Sequence, residues 1–116
     1  MYPYQKLETW RRAHKFALSC YHAAEPIRVF AMRSQLRRAA CSTVANLVEG
    51  ASSQSDREFG RFLGIAIASA NEADYHLLFC TDVGLLPHEV TSPLRDELRE
   101  ITRMLQGLRK TVRSSG

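Results

Sequence analysis

Apolar residues recur along this chain at steps of three and four, and nowhere do they alternate at steps of two for long enough to make a strand. Leu7, Trp10, His14, Ala17, Tyr21 and Ala24 fall on one side of a helix spanning about 7–25, with Phe16 and Leu18 widening the face and Pro26 ending it. Residues 26–32 form a short connection in which Ile27, Val29 and Phe30 are expected to cover one end of a core. A second helix, 33–49, carries Leu36, Ala40, Thr43 and Leu47 among small residues that let a neighbouring backbone come close. Gly50 then stands where a left-handed residue would stop it. Ser55 and Glu58 form a capping-box pair that opens a third helix, 56–83, with Phe59, Phe62, Leu63, Ala66, Ala70, Ala73, Leu77 and Cys80 along its seam and Gly84 as its stop. Ser92 and Pro93 read as the cap and first position of a fourth helix, 93–112, whose row Leu94, Leu98, Ile101, Leu105, Leu108 and Val112 is the most regular in the sequence. Four helices joined by short links predict an all-α chain, an antiparallel up-down four-helix bundle forming one domain over 1–116.

Two features of the pattern go beyond a simple bundle. In FLGIAIASA, Ile65 and Ile67 point to opposite flanks of the third helix, about 160° apart, so it is apolar on more than one side. That extra flank predicts contact between subunits at Ile65 and Ile67, with Gly60 and Gly64 allowing close approach. Arg38, Ser42, Asn46 and Glu49 also line up along the second helix, as a hydrogen-bonded seam or a ligand-contacting row. Glu72, set among small residues, calls for an arginine partner such as Arg37 or Arg38.

Charge refines the picture. The net charge of +4 is uneven: residues 1–49 carry eight basic and three acidic groups, 50–94 two and six, and 95–116 six and three. If the two basic ends meet in the fold they make one surface suited to phosphate. Candidate contacts are Arg11, Arg12 and Lys15 on the first helix and Arg99, Arg103, Arg109, Lys110 and Arg113 on the last. No aromatic–basic interleaving of the kind that stacks single-stranded bases appears, so binding would follow the backbone and weaken with salt.

Other chemistry finds little support. Cys20, Cys41 and Cys80 are far apart and form no CxxC pair, so they are expected to be buried, reduced thiols. His14 and His22 lack a third metal ligand, and Glu72 with His76 stands alone and off the Glu-x-x-His spacing of a di-metal bundle. No phosphate loop or Ser–His–Asp set is present, so no enzyme and no cofactor are expected. No apolar run reaches about 18 residues, which argues against a membrane span, and the polar, basic beginning of the chain does not read as a secretory signal, leaving the cytoplasm as the default location.

The run QLRRAACSTVANLVEG, then EFGRFLGIAIASANE, resembles the signature of the 23S rRNA intervening-sequence protein family of four-helix-bundle proteins. The matching positions include Gln35, Leu36, Arg37, Arg38, Ser42, Asn46, Glu49, Gly50, Glu58, Phe59, Phe62, Leu63, Ser69 and Glu72, with Leu7 and Trp10 matching the opening motif. Ala68, where the family often has glycine, and Pro93 depart from it. The resemblance implies a bundle assembling into a ring, a homopentamer, and does not imply a catalytic activity. A related branch includes the accessory protein of diversity-generating retroelements, which binds a reverse transcriptase and nucleic acid. It therefore implies an oligomeric scaffold for structured RNA or a nucleic-acid-processing protein, against the alternative of a protein–protein adaptor that binds no nucleic acid. The motif residues Arg37, Arg38, Asn46, Glu49, Glu58 and Glu72 are expected to form a buried polar lattice that sets helix register. Removing one partner of a buried pair costs about 3–5 kcal/mol, so Glu49→Ala or Arg38→Ala is expected to lower stability or assembly.

Overall fold

The computed structural model describes residues 3–115, and side chains for residues 3–113. The described residues contain four α-helices and no strand: α1 Glu8–Ala23, α2 Phe30–Ala51, α3 Asp56–Asp82 and α4 His88–Ser115, preceded by a 3-10 turn at Tyr4–Lys6. Helix α1 packs against α2 and α4, and α3 closes the cycle by packing against the same two. The result is a four-helix bundle with one core, in which Ile27, Leu36, Leu47, Leu63, Leu77, Leu98, Ile101 and Leu105 are fully buried.

The rows expected for α2, α3 and α4 face this core, but α1 is turned. Its buried side is Ala13, Phe16, Ala17 and Cys20, while His14, Leu18 and Tyr21 are exposed. Small residues at positions 13, 17 and 20 bring the α1 backbone close, and the wide rings go to the flanks. Trp10 there stacks on His14 with ring centres 5.0 Å apart, and Tyr21 lies 3.9 Å beneath the Arg37 guanidinium.

The connections differ in informative ways. Helix α2 begins at Phe30, three residues before the expected start, with Arg33 donating to the Ile27 carbonyl at 2.7 Å. Ile27 caps the core as expected, but Val29 is exposed and Phe30 is 71% exposed. Gly50 is not a left-handed stop. It lies inside α2, and the helix ends one residue later, at Ala51, as the Ser53 hydroxyl bonds the Gly50 carbonyl at 2.6 Å. A Cβ at Gly50 would stand 2.9 Å from Phe62 Cβ and 3.3 Å from the Phe59 carbonyl oxygen, so its role is close approach between α2 and α3. Ser55 caps α3 by accepting from the Glu58 amide at 3.1 Å. The reciprocal half of the box is replaced, because the Glu58 carboxylate accepts from Arg61.

Gly84, with φ +80°, does supply a left-handed stop. The Leu85 amide reaches the Cys80 carbonyl at 2.8 Å and the Gly84 amide reaches Thr81 at 3.1 Å, the bond pair of a Schellman end. Helix α4 starts at His88, so Pro93 lies inside it rather than at its first position. Pro93 leaves only the carbonyl four residues back, that of exposed Glu89, without its helical donor. The first turn is fastened by the Thr81 and Thr91 hydroxyls, 2.7 Å apart.

Candidate functional site

Helix α4 separates its charges by flank. Toward α1 it presents Glu97, which accepts from Arg12 at 2.7 and 3.1 Å. That hydrogen bond, with the fields of Glu97, Glu100 and Glu8, holds the Arg12 guanidinium above its ordinary pKa. Toward α3 it presents cations. Arg95 donates to Asp74 at 2.8 and 3.2 Å, the Arg109 guanidinium lies over Gly64, and the Arg113 stem passes Gly60.

A groove follows this α3–α4 flank in three adjoining stretches. The first, about 330 Å³, lies between Asn71 and Asp74 on α3 and Arg99, Thr102, Arg103 and Gln106 on α4. The second, about 700 Å³, shares Gln106 and adds Ile67, Arg109, Lys110 and Arg113. The third, about 1130 Å³, shares Arg109 and Arg113 and opens onto Ser55, Asp56, Arg57, Glu58 and Arg61 at the start of α3. From Arg99 to Arg113 the cationic edge runs roughly 21 Å along the helix.

The cations differ in how they are engaged. Arg99 pairs with Asp96 at 2.9 Å and Arg103 with Glu100 at 2.7 Å, both exposed pairs within one turn that solvent screens heavily. Among the described residues, Arg57, Arg109, Lys110 and Arg113 make no ion pair. The expected union of the two basic ends is thus corrected. Helices α1 and α4 do pack together, but across the acidic flank of α4. Arg11 is tied to Glu8 at 2.8 Å, Arg12 to Glu97, and Lys15 is exposed on α1, away from the groove. Arg57 and Arg61, which are not among the expected contacts, join the groove instead, while Arg95 is paired with Asp74 and lines none of its three stretches. The acidic balance of residues 50–94 hid the first two, and their four-residue spacing, matched by Gly60 and Gly64, was the available signal.

The polar motif resolves into three separate arrangements rather than one buried lattice. Across α2 and α3, Arg38 meets Glu72 at 2.6 Å, the Ser42 and Ser69 hydroxyls meet at 2.9 Å, and Asn46 bonds Ser42. Bonds from His76, at 3.3 Å, and from Arg38 hold the Glu72 carboxyl below its ordinary pKa. Arg37 turns toward α1, reaching the Tyr21 carbonyl and Glu25. Glu58 takes Arg61, and Glu49 is exposed and outside the seam. These pairs sit at the rim because long charged side chains extend past the small residues beneath them. Arg38 and Glu72 remain 61% and 39% exposed.

The two isoleucines also divide. Ile67 packs against the core and lines the groove, while Ile65 is 38% exposed on the outward side of α3, the side that also carries Tyr75, Phe79 and Val83. Cys20 and Cys80 are buried, but Cys41 is exposed, contrary to expectation. Among the described residues no three His, Cys, Asp or Glu side chains are grouped to hold a metal, and no helix is long and apolar enough to cross a membrane.

The family model for the 23S rRNA-intervening sequence protein matches residues 5–107. The chain belongs to this family. Its intervening-sequence-protein match takes in all of α1, α2 and α3 and most of α4, so it includes both the α2–α3 seam and the α3–α4 groove up to Gln106. A solved structure from Bacteroides thetaiotaomicron, a protein of unknown function from the S23 ribosomal protein family, is similar with a TM-score of 0.84 and 24% identity. The alignment covers 88% of this chain and 98% of that one, a likeness of fold. No curated protein matches this intervening-sequence family member.

Proposed function

We propose that this chain is a non-catalytic, ring-forming scaffold of the cytoplasm that holds structured RNA by its phosphates in the α3–α4 groove. The observation that carries the proposal is the set of cations in that groove, Arg57, Arg109, Lys110 and Arg113, which no carboxylate among the described residues pairs. Among the described residues no aromatic side chain lines the groove. A guest is therefore held by its backbone rather than by stacked bases, which favours helical RNA over an extended single strand.

The bundle is antiparallel and up-down in this proposal. Support comes from residue pairs whose numbers rise on one helix and fall on the next: Arg38 with Glu72 and Gly50 with Phe62, then Asp74 with Arg95 and Gly64 with Arg109. Assembly into a homopentamer uses the outward side of α3, where Ile65, Tyr75, Phe79 and Val83 leave apolar surface in water. A ring repeats the groove once per subunit, so weak contacts gain by multivalency.

Fluorescence anisotropy with a labelled RNA hairpin, titrated with protein at rising salt, tests the binding reading. With about four phosphates neutralised, affinity is expected to fall roughly a hundredfold between 50 and 200 mM salt. Absence of binding at low salt would overturn it in favour of a protein–protein adaptor, and binding indifferent to salt would overturn the phosphate contacts.

A further inference from the structure

Gly64 occupies the interior of a 27-residue helix, where alanine would hold the backbone better. What lies on it is the end of a side chain from another helix. A Cβ there would stand 2.9 Å from Arg109 Nη2, 3.1 Å from Cζ and 3.4 Å from Nη1. The guanidinium is therefore seated directly on the α3 backbone, and its Nε–H is buried with no hydrogen-bond partner among the described residues. Arg109 and Arg113 line both the second and third stretches of the groove, with Lys110 in one and Arg57 in the other. Asp56 and Glu58 share this mouth. Glu58 is already held by Arg61 at 3.1 and 3.2 Å.

We propose that Gly64 is a positioning residue that seats Arg109, and that Arg109, Arg113, Lys110 and Arg57 form an anchoring site for one phosphomonoester. The site rests on the reading of the groove as a phosphate-binding surface, but it needs no RNA chain to fill it. A phosphomonoester carries up to two charges and three terminal oxygens, enough to engage several cations at once. A phosphodiester within a chain offers two free oxygens and one charge. Two sources share the chemistry: the terminal phosphate of an RNA strand and a free phosphorylated small molecule.

Gly64→Ala in the full chain separates the positioning role from folding. The obstructing atoms are the tip of a flexible side chain, so Arg109 can move aside while the α3 backbone stays in place. The melting temperature is expected to hold or rise. Affinity for inorganic phosphate, followed by NMR through the Arg109 Nε–H resonance, is expected to fall about tenfold, the equivalent of one charge-assisted hydrogen bond. Should Gly64→Ala unfold, Arg109→Lys keeps the charge, removes the planar fork, and, followed through the Arg113 Nε–H resonance, is expected to show the same loss. A hairpin bearing a 5′ phosphate, the same hairpin with a 5′ hydroxyl, and ribose 5-phosphate identify the source. Preference for the phosphorylated hairpin assigns the site to an RNA end, and equal binding of the sugar phosphate assigns it to a small molecule.

Failure of phosphate to perturb Arg109 in the wild-type protein overturns the site, as does unchanged phosphate affinity in a folded Gly64→Ala. Salt-dependent hairpin binding alongside either result would leave the scaffold reading standing. Phosphate binding without hairpin binding would do the reverse.

Discussion

Gly50 and Gly64 show how one residue type does two different things in this bundle. At Gly50 the neighbours of an added methyl are a Cβ and a backbone carbonyl of α3, which cannot swing away. Gly50→Ala is expected to destabilise the chain by about 1–3 kcal/mol in denaturant melts, and an unchanged midpoint would contradict the packing. The sequence put a glycine beside Glu49 in plain view, but its purpose depended on what packs against it, which periodicity does not reveal. The cysteines divide in the same way. Desolvation in the core pushes the Cys20 thiol up to about 12 and raises that of Cys80, so both are expected to stay unlabelled by a thiol reagent at neutral pH until the chain unfolds. Exposed Cys41 is expected to label first in the dispersed chain, as mass spectrometry of the native protein would reveal. Small side chains looked alike in sequence, and only the rotation of α2 set Cys41 outward.

At the scale of elements, the rows of α2, α3 and α4 were legible because each presents an apolar face at helical spacing, leucines and alanines in α2 and α3 and leucine, isoleucine and valine in α4. The register of α1 was not, since its buried face is built from alanines, Phe16 and Cys20 while its larger rings ride on the flanks. Pro93 was misread for a related reason: a proline near a helix start marks the first turn or two, and Thr81–Thr91 anchors an earlier beginning. The α2–α3 seam was anticipated in composition but not in depth. With Arg38 and Glu72 both at the rim, screening reduces the pair to under about 1 kcal/mol, so Arg38→Ala is expected to leave the fold intact, well short of the loss a buried pair would bring. The pH dependence has a definite sign. The Glu72 carboxyl is held below its ordinary value in the fold, so its contribution is full above the unfolded-state pKa of about 4.3 and is lost as pH falls through the lowered folded value. The difference in melting temperature between wild type and Glu72→Gln is expected to be present at neutral pH and to close in acid. A gap that persists or widens in acid would show that the carboxylate is not the source.

For the whole molecule, separate faces divide the work. The outward side of α3 leaves apolar surface in water, which the proposed ring uses, and the α3–α4 groove offers cations that no carboxylate among the described residues pairs. Light scattering is expected to give about five times the 13.1 kDa chain mass, and Phe79→Asp, which places a charge on the apolar side, is expected to reduce it. A single-chain mass in dilute buffer would remove the ring. The all-α, four-helix character was readable from spacing alone, but the division of surfaces was not. Segment charge made α1 and α4 look like one basic surface, whereas the folded chain joins them through Glu97 and turns the cations of α4 toward Arg57 and Arg61. The most direct measurement compares hairpin affinity at low salt for two charge-removed variants, Arg109→Gln with Arg113→Gln in the groove and Arg11→Gln with Lys15→Gln on α1. Binding is expected to fall about tenfold or more for the groove pair and to change little for the α1 pair. Equal affinity in the groove pair and wild type, with the loss confined to the α1 pair, would contradict the account.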